Sequence, residues 1–194
     1  TSSLLRNEEV FVFYILAQIN VIAMKKLLWL IYLSPFFSFS QNVNFSSKLP
    51  IVIINTDNQI IQDEPRIVAD MGIIYNPNEI NYYSDVYNDY NGKISIEIRG
   101  SSSQFYPKKS FSIETQKLNG ENLNTSLLGL PSENDWILYG PYYDKTLIRN
   151  TLTYSLFSKM GHYSPRAKYC ELFINDSYFG VYVLIEKIKK DTNR

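Results

Sequence analysis

The chain is poor in the side chains that build metal centres and disulfides: its 194 residues hold one cysteine, Cys170, and one histidine, His162. A single thiol excludes an internal disulfide framework and any multi-cysteine metal site, and a single imidazole argues against zinc chemistry. A Ser-His-Asp arrangement would need His162 as its base; between Gly161 and Tyr163, that residue reads as a surface cap instead. An excess of one charge is missing too. Lys+Arg and Asp+Glu each number 19, so no net field draws the chain to nucleic acid or to an anionic membrane face, and nucleic acid is not expected as a partner. What is plentiful is aromatic: 16 tyrosines and 11 phenylalanines suit a β-rich, polar-surfaced protein. The length leaves room for one domain plus appendages.

The first forty residues differ from the rest. From Met24 the order is two lysines, the apolar run LLWLIYL, then SPFFSFSQ. That is the order of a secretory signal over 24–40, with cleavage after Ser40 releasing a chain that begins at Gln41. The apolar stretch is short for a membrane span, so an exported protein (periplasm, cell envelope or extracellular) with no stable span after cleavage is expected. Residues 1–23 carry a second apolar run and no methionine at position 1, and read as sequence upstream of the true start; the alternative is a pair of membrane segments broken by the two lysines. At the other end, KIKKDTNR follows a strand directly, which reads as an interrupted domain.

Between these ends the pattern is mostly β. LPIVIINT (49–56) and PRIVADMGIIYNPN (65–78) read as strand regions closed by turn residues. Residues 76–92, rich in Asn, Asp and Tyr, read as loop, with sugar binding as the functional alternative. KISIEIR (93–99) alternates strictly, with Ile94, Ile96 and Ile98 on one face. KSFSIET (109–115) alternates again, so the two form an antiparallel hairpin. DWILYGP (135–141) supplies another strand. YCELFIN (169–175) and YFGVYVLIEKIK (178–189) form a second hairpin, and VYVLI, apolar on both faces, predicts a central strand. Between them, DKTLIRNTLTYSLFSKMG predicts the one main helix: Asp144 as N-cap, Ile148, Leu152, Leu156 and Met160 four apart with Leu147 and Phe157 widening the stripe, and Gly161 closing it. Lys145 and Arg149 lie four apart on a flank of that stripe.

The loop joining the first hairpin, RGSSSQFYPKKS (99–110), concentrates donors and cations. It matches neither standard phosphate loop, since it lacks the second glycine before the lysine and the G-x-G-x-x-G pattern. It does keep the ingredients for holding an anion: backbone N–H groups, serine hydroxyls and two lysines. By alternation Lys108 belongs to the polar face. Lys109 falls on the side of Phe111 and Ile113, where an ammonium snorkels out or finds an anion. Glu171 and Glu186 are drawn toward apolar faces and need cationic partners, with Lys109 and Arg149 as candidates.

The blocks EIRGSSSQFYPKKSFSIE, LLGLPSENDWILYGPYYDKTLIRN and MGHYSPRAKYCELFINDSYFGVYVLIEKIK, in that order, resemble the CotH family of spore-coat-type atypical protein kinases over about residues 48–190. The resemblance implies an α+β fold: a mainly antiparallel sheet with one main helix, like the small lobe of an atypical kinase. It implies a β-rich N-terminal extension over 41–92 and the N-terminal half of the kinase domain, incomplete, over 93–194. For the intact protein it implies ATP-dependent phosphoryl transfer to serines of a protein substrate, with Mg or Mn. The nucleotide site would take Arg99, Gly100, Ser101, Ser102 and Ser103 in its loop, Lys108 or Lys109 near the phosphates, and Arg149 on the helix facing the cleft. Glu171 would be a pairing carboxylate, and Glu186 would sit where the chain leaves the small lobe. The family's catalytic and metal-binding aspartates belong to the second half of its domain, so no catalytic or metal residue is assigned here and the fragment alone is expected to be inactive. The alternatives are a non-enzymatic cell-envelope binding module and a pseudokinase.

Overall fold

A computed structural model describes residues 44–189; the expected signal segment, the segment 1–23 and the last five residues lie outside them. Among the described residues, nine strands run in chain order. Two short ones, β1 (Ser46–Ser47) and β4 (Asn81–Tyr82), pair with each other. The other seven are β2 (Ile51–Asn55), β3 (Ile67–Ile74), β5 (Tyr90–Arg99), β6 (Ser110–Gln116), β7 (Asp135–Tyr139), β8 (Ala167–Ile174) and β9 (Ser177–Glu186). They close into a barrel in the order β2-β3-β5-β6-β7-β9-β8. Every neighbouring pair is antiparallel except β2 and β8, whose parallel pairing of Ile51–Ile54 with Glu171–Ile174 shuts the cylinder. The expected small-lobe sheet with one main helix is therefore corrected: the described residues form a closed β-barrel with a single short α-helix. Its β2 and β3 come from before residue 93, β5 spans that position and β6–β9 follow it.

The alternation of each strand decides what enters the cylinder. Ile94 and Ile96 of β5, Phe111 and Ile113 of β6, Trp136 and Leu138 of β7, and Tyr182 and Leu184 of β9 share one buried interior, joined by Leu127, Leu128 and Leu130 from the loop after β6. The opposite face of β5 and β6 is polar. There Arg66 lies between Glu97 (2.7 Å) and Glu114 (2.9 Å) and reaches Ser112 Oγ at 3.1 Å. VYVLI is apolar on both faces for a reason the barrel supplies: Tyr182 and Leu184 point inward, while Val183 and Ile185 pack outside with Ile137.

The helix α1 spans Arg149–Lys159. It starts later than expected because Leu147 takes a positive φ of 61°. Asp144 still serves the first turn from a distance: one carboxylate oxygen accepts from the Arg149 amide at 2.8 Å, the other from the Thr146 amide and hydroxyl. Gly161, at φ 86°, follows the C-cap Met160 as expected. The apolar stripe behaves differently. Ile148, Leu152, Leu156 and Met160 are 49%, 51%, 53% and 70% exposed, and the helix meets the barrel through other residues. Tyr154 packs on the Ile137, Val183 and Ile185 cluster, and the Thr151 and Tyr169 hydroxyls lie 2.6 Å apart.

Burial inside the barrel gives a pH prediction. Cys170 faces the interior, where desolvation first and the nearby Glu171 charge second push its thiol up from 9.0 to about 12. Burial and the hydrogen bond to Glu171 raise the Tyr178 hydroxyl from 10.0 to about 12. Both folded values exceed the unfolded ones, so this stability is complete below the unfolded value and lost as pH rises through the folded one. Denaturant titrations should show stability falling between pH 9 and 12, and falling less steeply for Cys170→Ala.

Candidate functional site

At the rim where β5 ends and β6 begins, the chain turns through Gly100 and a 3-10 turn at Ser102–Phe105. Gly100 has φ 117°, and a Cβ there would sit 2.0 Å from Ser103 Oγ, so the turn needs glycine. The Gln104 and Tyr106 amides are used inside this turn, by the Ser101 and Ser103 carbonyls. Those two amides are thus committed within the turn, and the loop also offers the side chains of Arg99, Ser103 and Lys108.

Those side chains meet β7 across a cavity of about 170 Å³. Arg99, Gly100, Ser103 and Lys108 line it from the hairpin, with Ser110 at the start of β6 and Gly140 at the end of β7. The Gly140 amide donates to Ser110 Oγ at 3.1 Å, tying the two walls together. Tyr106, Tyr142 and Tyr143 form the aromatic rim, with Tyr106 stacked on Tyr142 (centroids 5.6 Å apart) and edge-on to Tyr143 (4.4 Å). The sequence reading missed these rings, along with Ser110 and Gly140; the signal for them was the pair of short runs FYP and GPYY facing each other across the hairpin.

A second cavity of about 250 Å³ adjoins the first, sharing Arg99 and Tyr139 and bordered by Asn150, Tyr154 and Glu186. Arg99 projects from the outer face of β5, is exposed, and makes no ion pair with another described residue. It is the cation available to both hollows.

The other expected site residues are placed as follows. The half-buried Lys108 contributes its stem to the first cavity, but its ammonium donates to the Val181 carbonyl at 2.8 Å and lies 4.5 Å over the Tyr182 ring. Burial lowers its pKa, and the Glu171 charge partly opposes that. Lys109 folds back to donate to the Gln104 carbonyl, and its own carbonyl accepts from the Tyr182 hydroxyl at 2.8 Å. Ser101 and Ser102 are exposed on the turn. Arg149 is 73% exposed, pairs with Asp144 at 3.4 Å and lines neither cavity. Glu171 finds hydroxyls in place of the expected lysine or arginine contact: Ser47 donates at 2.9 Å and Tyr178 at 2.7 Å. Glu186, 1% exposed, accepts from the Arg166 amide (2.8 Å) and Nε (3.1 Å), so its cation is Arg166 rather than Lys109 or Arg149.

Chemically, the paired cavities offer one guanidinium, two serine hydroxyls and a tyrosine rim, which suit an anionic group carried on a flat or polar body. Among the described residues no three His, Cys, Asp or Glu side chains converge as a metal site, and no helix is long and apolar enough to cross a membrane.

Among curated proteins none matches the chain. A family model described as CotH kinase protein matches residues 96–194, from within β5 through the whole of the site, and with just over half of its length matched the chain belongs to the CotH kinase family.

Proposed function

We propose that the chain is the nucleotide-binding part of an exported CotH-like protein kinase, which in the intact protein transfers the γ-phosphoryl group of ATP to serines of a protein substrate. The observation that carries this reading is the convergence of Arg99, Ser103 and Ser110 on one cavity inside the region that matches the kinase family. ATP, when bound, supplies the phosphoryl group. Arg99 would hold phosphate oxygens by charge-assisted hydrogen bonds, and the Ser103 and Ser110 hydroxyls would add donors. Gly100 would let the backbone approach closely. Lys108 would act from behind: its stem shapes the wall while its ammonium stays on the Val181 carbonyl. Each cavity alone falls below the roughly 300–1,000 Å³ usual for small-molecule sites, so the nucleotide would span both, across Arg99 and Tyr139.

Among the described residues no three His, Cys, Asp or Glu side chains converge, and the resemblance places the family's metal-binding aspartates in the second half of its domain. A second reading is that the described barrel binds nucleotide without transferring phosphate.

Calorimetric titration of ATP into the full-length protein, with Mg²⁺ or Mn²⁺ present, tests the proposal. Arg99→Ala should weaken binding about 10- to 100-fold, the size of a lost charge-assisted contact. Absence of ATP binding by the unaltered protein, or an Arg99→Ala protein that binds equally well, would overturn it. Radiolabelled γ-phosphate appearing on serine supports the kinase reading, and binding without transfer supports the second.

A further inference from the structure

The helix α1 turns an unexpected side toward the barrel. Its apolar stripe faces outward, while Thr151, Tyr154, Ser155 and Ser158 line a cavity of about 470 Å³ between the helix and the segment leading into β8. Helices normally bury apolar side chains against a sheet, so a hydroxyl-bearing face over a hollow of this size marks a surface suited to a polar occupant.

Charge narrows the occupant's chemistry. The lining carries Lys159 at the helix end, Arg166, and Lys168 on β8, with no aspartate or glutamate among the lining residues. In a chain with no net charge this is a local segregation of cations. Arg166 is held by Glu186 on its far side, whereas Lys159 and Lys168 are exposed and form no ion pair with any described residue. The Ser155 and Ser158 hydroxyls likewise make no hydrogen bond to another described residue. One lysine at the end of the helix wall that carries the two serines, and the other on β8, present cations on two elements of the groove rather than gathered on one.

We infer that this groove docks an acidic peptide segment, its carboxylates paired with Lys159 and Lys168 and its backbone bonded to Ser155 and Ser158. A single small anion would leave most of the hollow unfilled. Single-stranded nucleic acid would need stacking platforms along a basic track, and the one aromatic ring here, Tyr154, is packed on the outer wall of the barrel. The groove shares Tyr154 and Pro165 with the cavity bordered by Arg99, but docking does not depend on the nucleotide reading.

The test is fluorescence anisotropy of a labelled peptide of alternating aspartate, glutamate and serine against the full chain at low salt. Two controls accompany it: the same peptide with lysine in place of each acid, and an oligothymidylate of equal charge. The acidic peptide should bind best. Lys159→Glu combined with Lys168→Glu should weaken it about tenfold or more without moving the melting curve, because both side chains are exposed. Arg99→Ala should leave it unchanged, which separates failure here from failure of the nucleotide site. Equal binding of the lysine peptide, tighter binding of the oligothymidylate, or unchanged affinity in the double variant would each overturn the inference.

Discussion

Trp136→Ala is expected to lose about 3–5 kcal/mol of stability, which for a domain of this size lowers the melting temperature by about 6–20 °C. The indole is fully buried and points into the barrel from β7, where its strand neighbours in register are Ile113 on β6 and Glu186 on β9. Its Nε1 donates to the Glu133 carbonyl at 3.2 Å. Truncation therefore opens a void in a closed cylinder whose walls are fixed by hydrogen bonds on both sides and cannot collapse into it. It also leaves the Glu133 carbonyl without that donor. Thermal melts followed by circular dichroism measure the effect. Phe105→Ala, at a ring 89% exposed on the 3-10 turn, is the control and should change almost nothing. A Trp136→Ala melt within about 2 °C of the unaltered protein would mean the interior is not packed as described.

Gly140→Val should damage both the fold and the site. A Cβ at this position would lie 2.7 Å from the Lys109 carbonyl oxygen, 3.0 Å from Lys108 Cγ and 3.1 Å from Tyr182 Cε1. The Lys109 carbonyl cannot give way easily, because the Tyr182 hydroxyl holds it at 2.8 Å. Overpacking of this kind costs about 1–3 kcal/mol. The forced shift also falls on the wall shared by Lys108, Ser110 and Gly140, so ATP binding by the full-length protein should be lost together with stability. Gly129→Ala separates the two effects. Gly129 has φ 72° with open space around it, so alanine there should cost about 1 kcal/mol through backbone strain alone and leave the cavity intact. If Gly140→Val keeps full ATP affinity, the cavity between the hairpin and β7 is not the nucleotide site.

Much of the local structure was legible. The alternation in KISIEIR put Ile94 and Ile96 on one face, and both are in the barrel interior. The hairpin joining 93–99 to 109–115 is the β5–β6 pair, with Ile96 opposite Ile113. Gly161 closes the helix as its position after a periodic run implied. In each case the signal and the structure lie within a few residues of each other.

The helix shows where such reading stops. Its apolar residues recur every four positions, yet they face outward while Thr151 and Tyr154 meet the barrel. Periodicity reports that a helix has two unlike faces; which face is covered depends on the surface opposite it. Glu186 is similar. Its place among apolar neighbours correctly demanded a cation, but Arg166, brought alongside by the β8–β9 pairing, outcompetes the two candidates chosen from the pattern. At the rim, Tyr106 and Tyr142 stand far apart in the chain and become neighbours only when β6 and β7 pair.

The sequence by itself determined the seven barrel strands in outline, the hairpin carrying Arg99 and the serines, and the kinship to the CotH kinases, because period-two alternation, turn residues and ordered motif blocks are properties of side chains close together in the chain. It did not mark the short β1, nor β4 and the start of β5, which fall in the stretch 76–92 that reads as loop. Only the tertiary structure decided that the sheet is a closed barrel. The closing contact joins β2 to β8 through backbone hydrogen bonds, and since every residue type offers the same backbone groups, that choice of partner leaves no mark in the pattern of side chains.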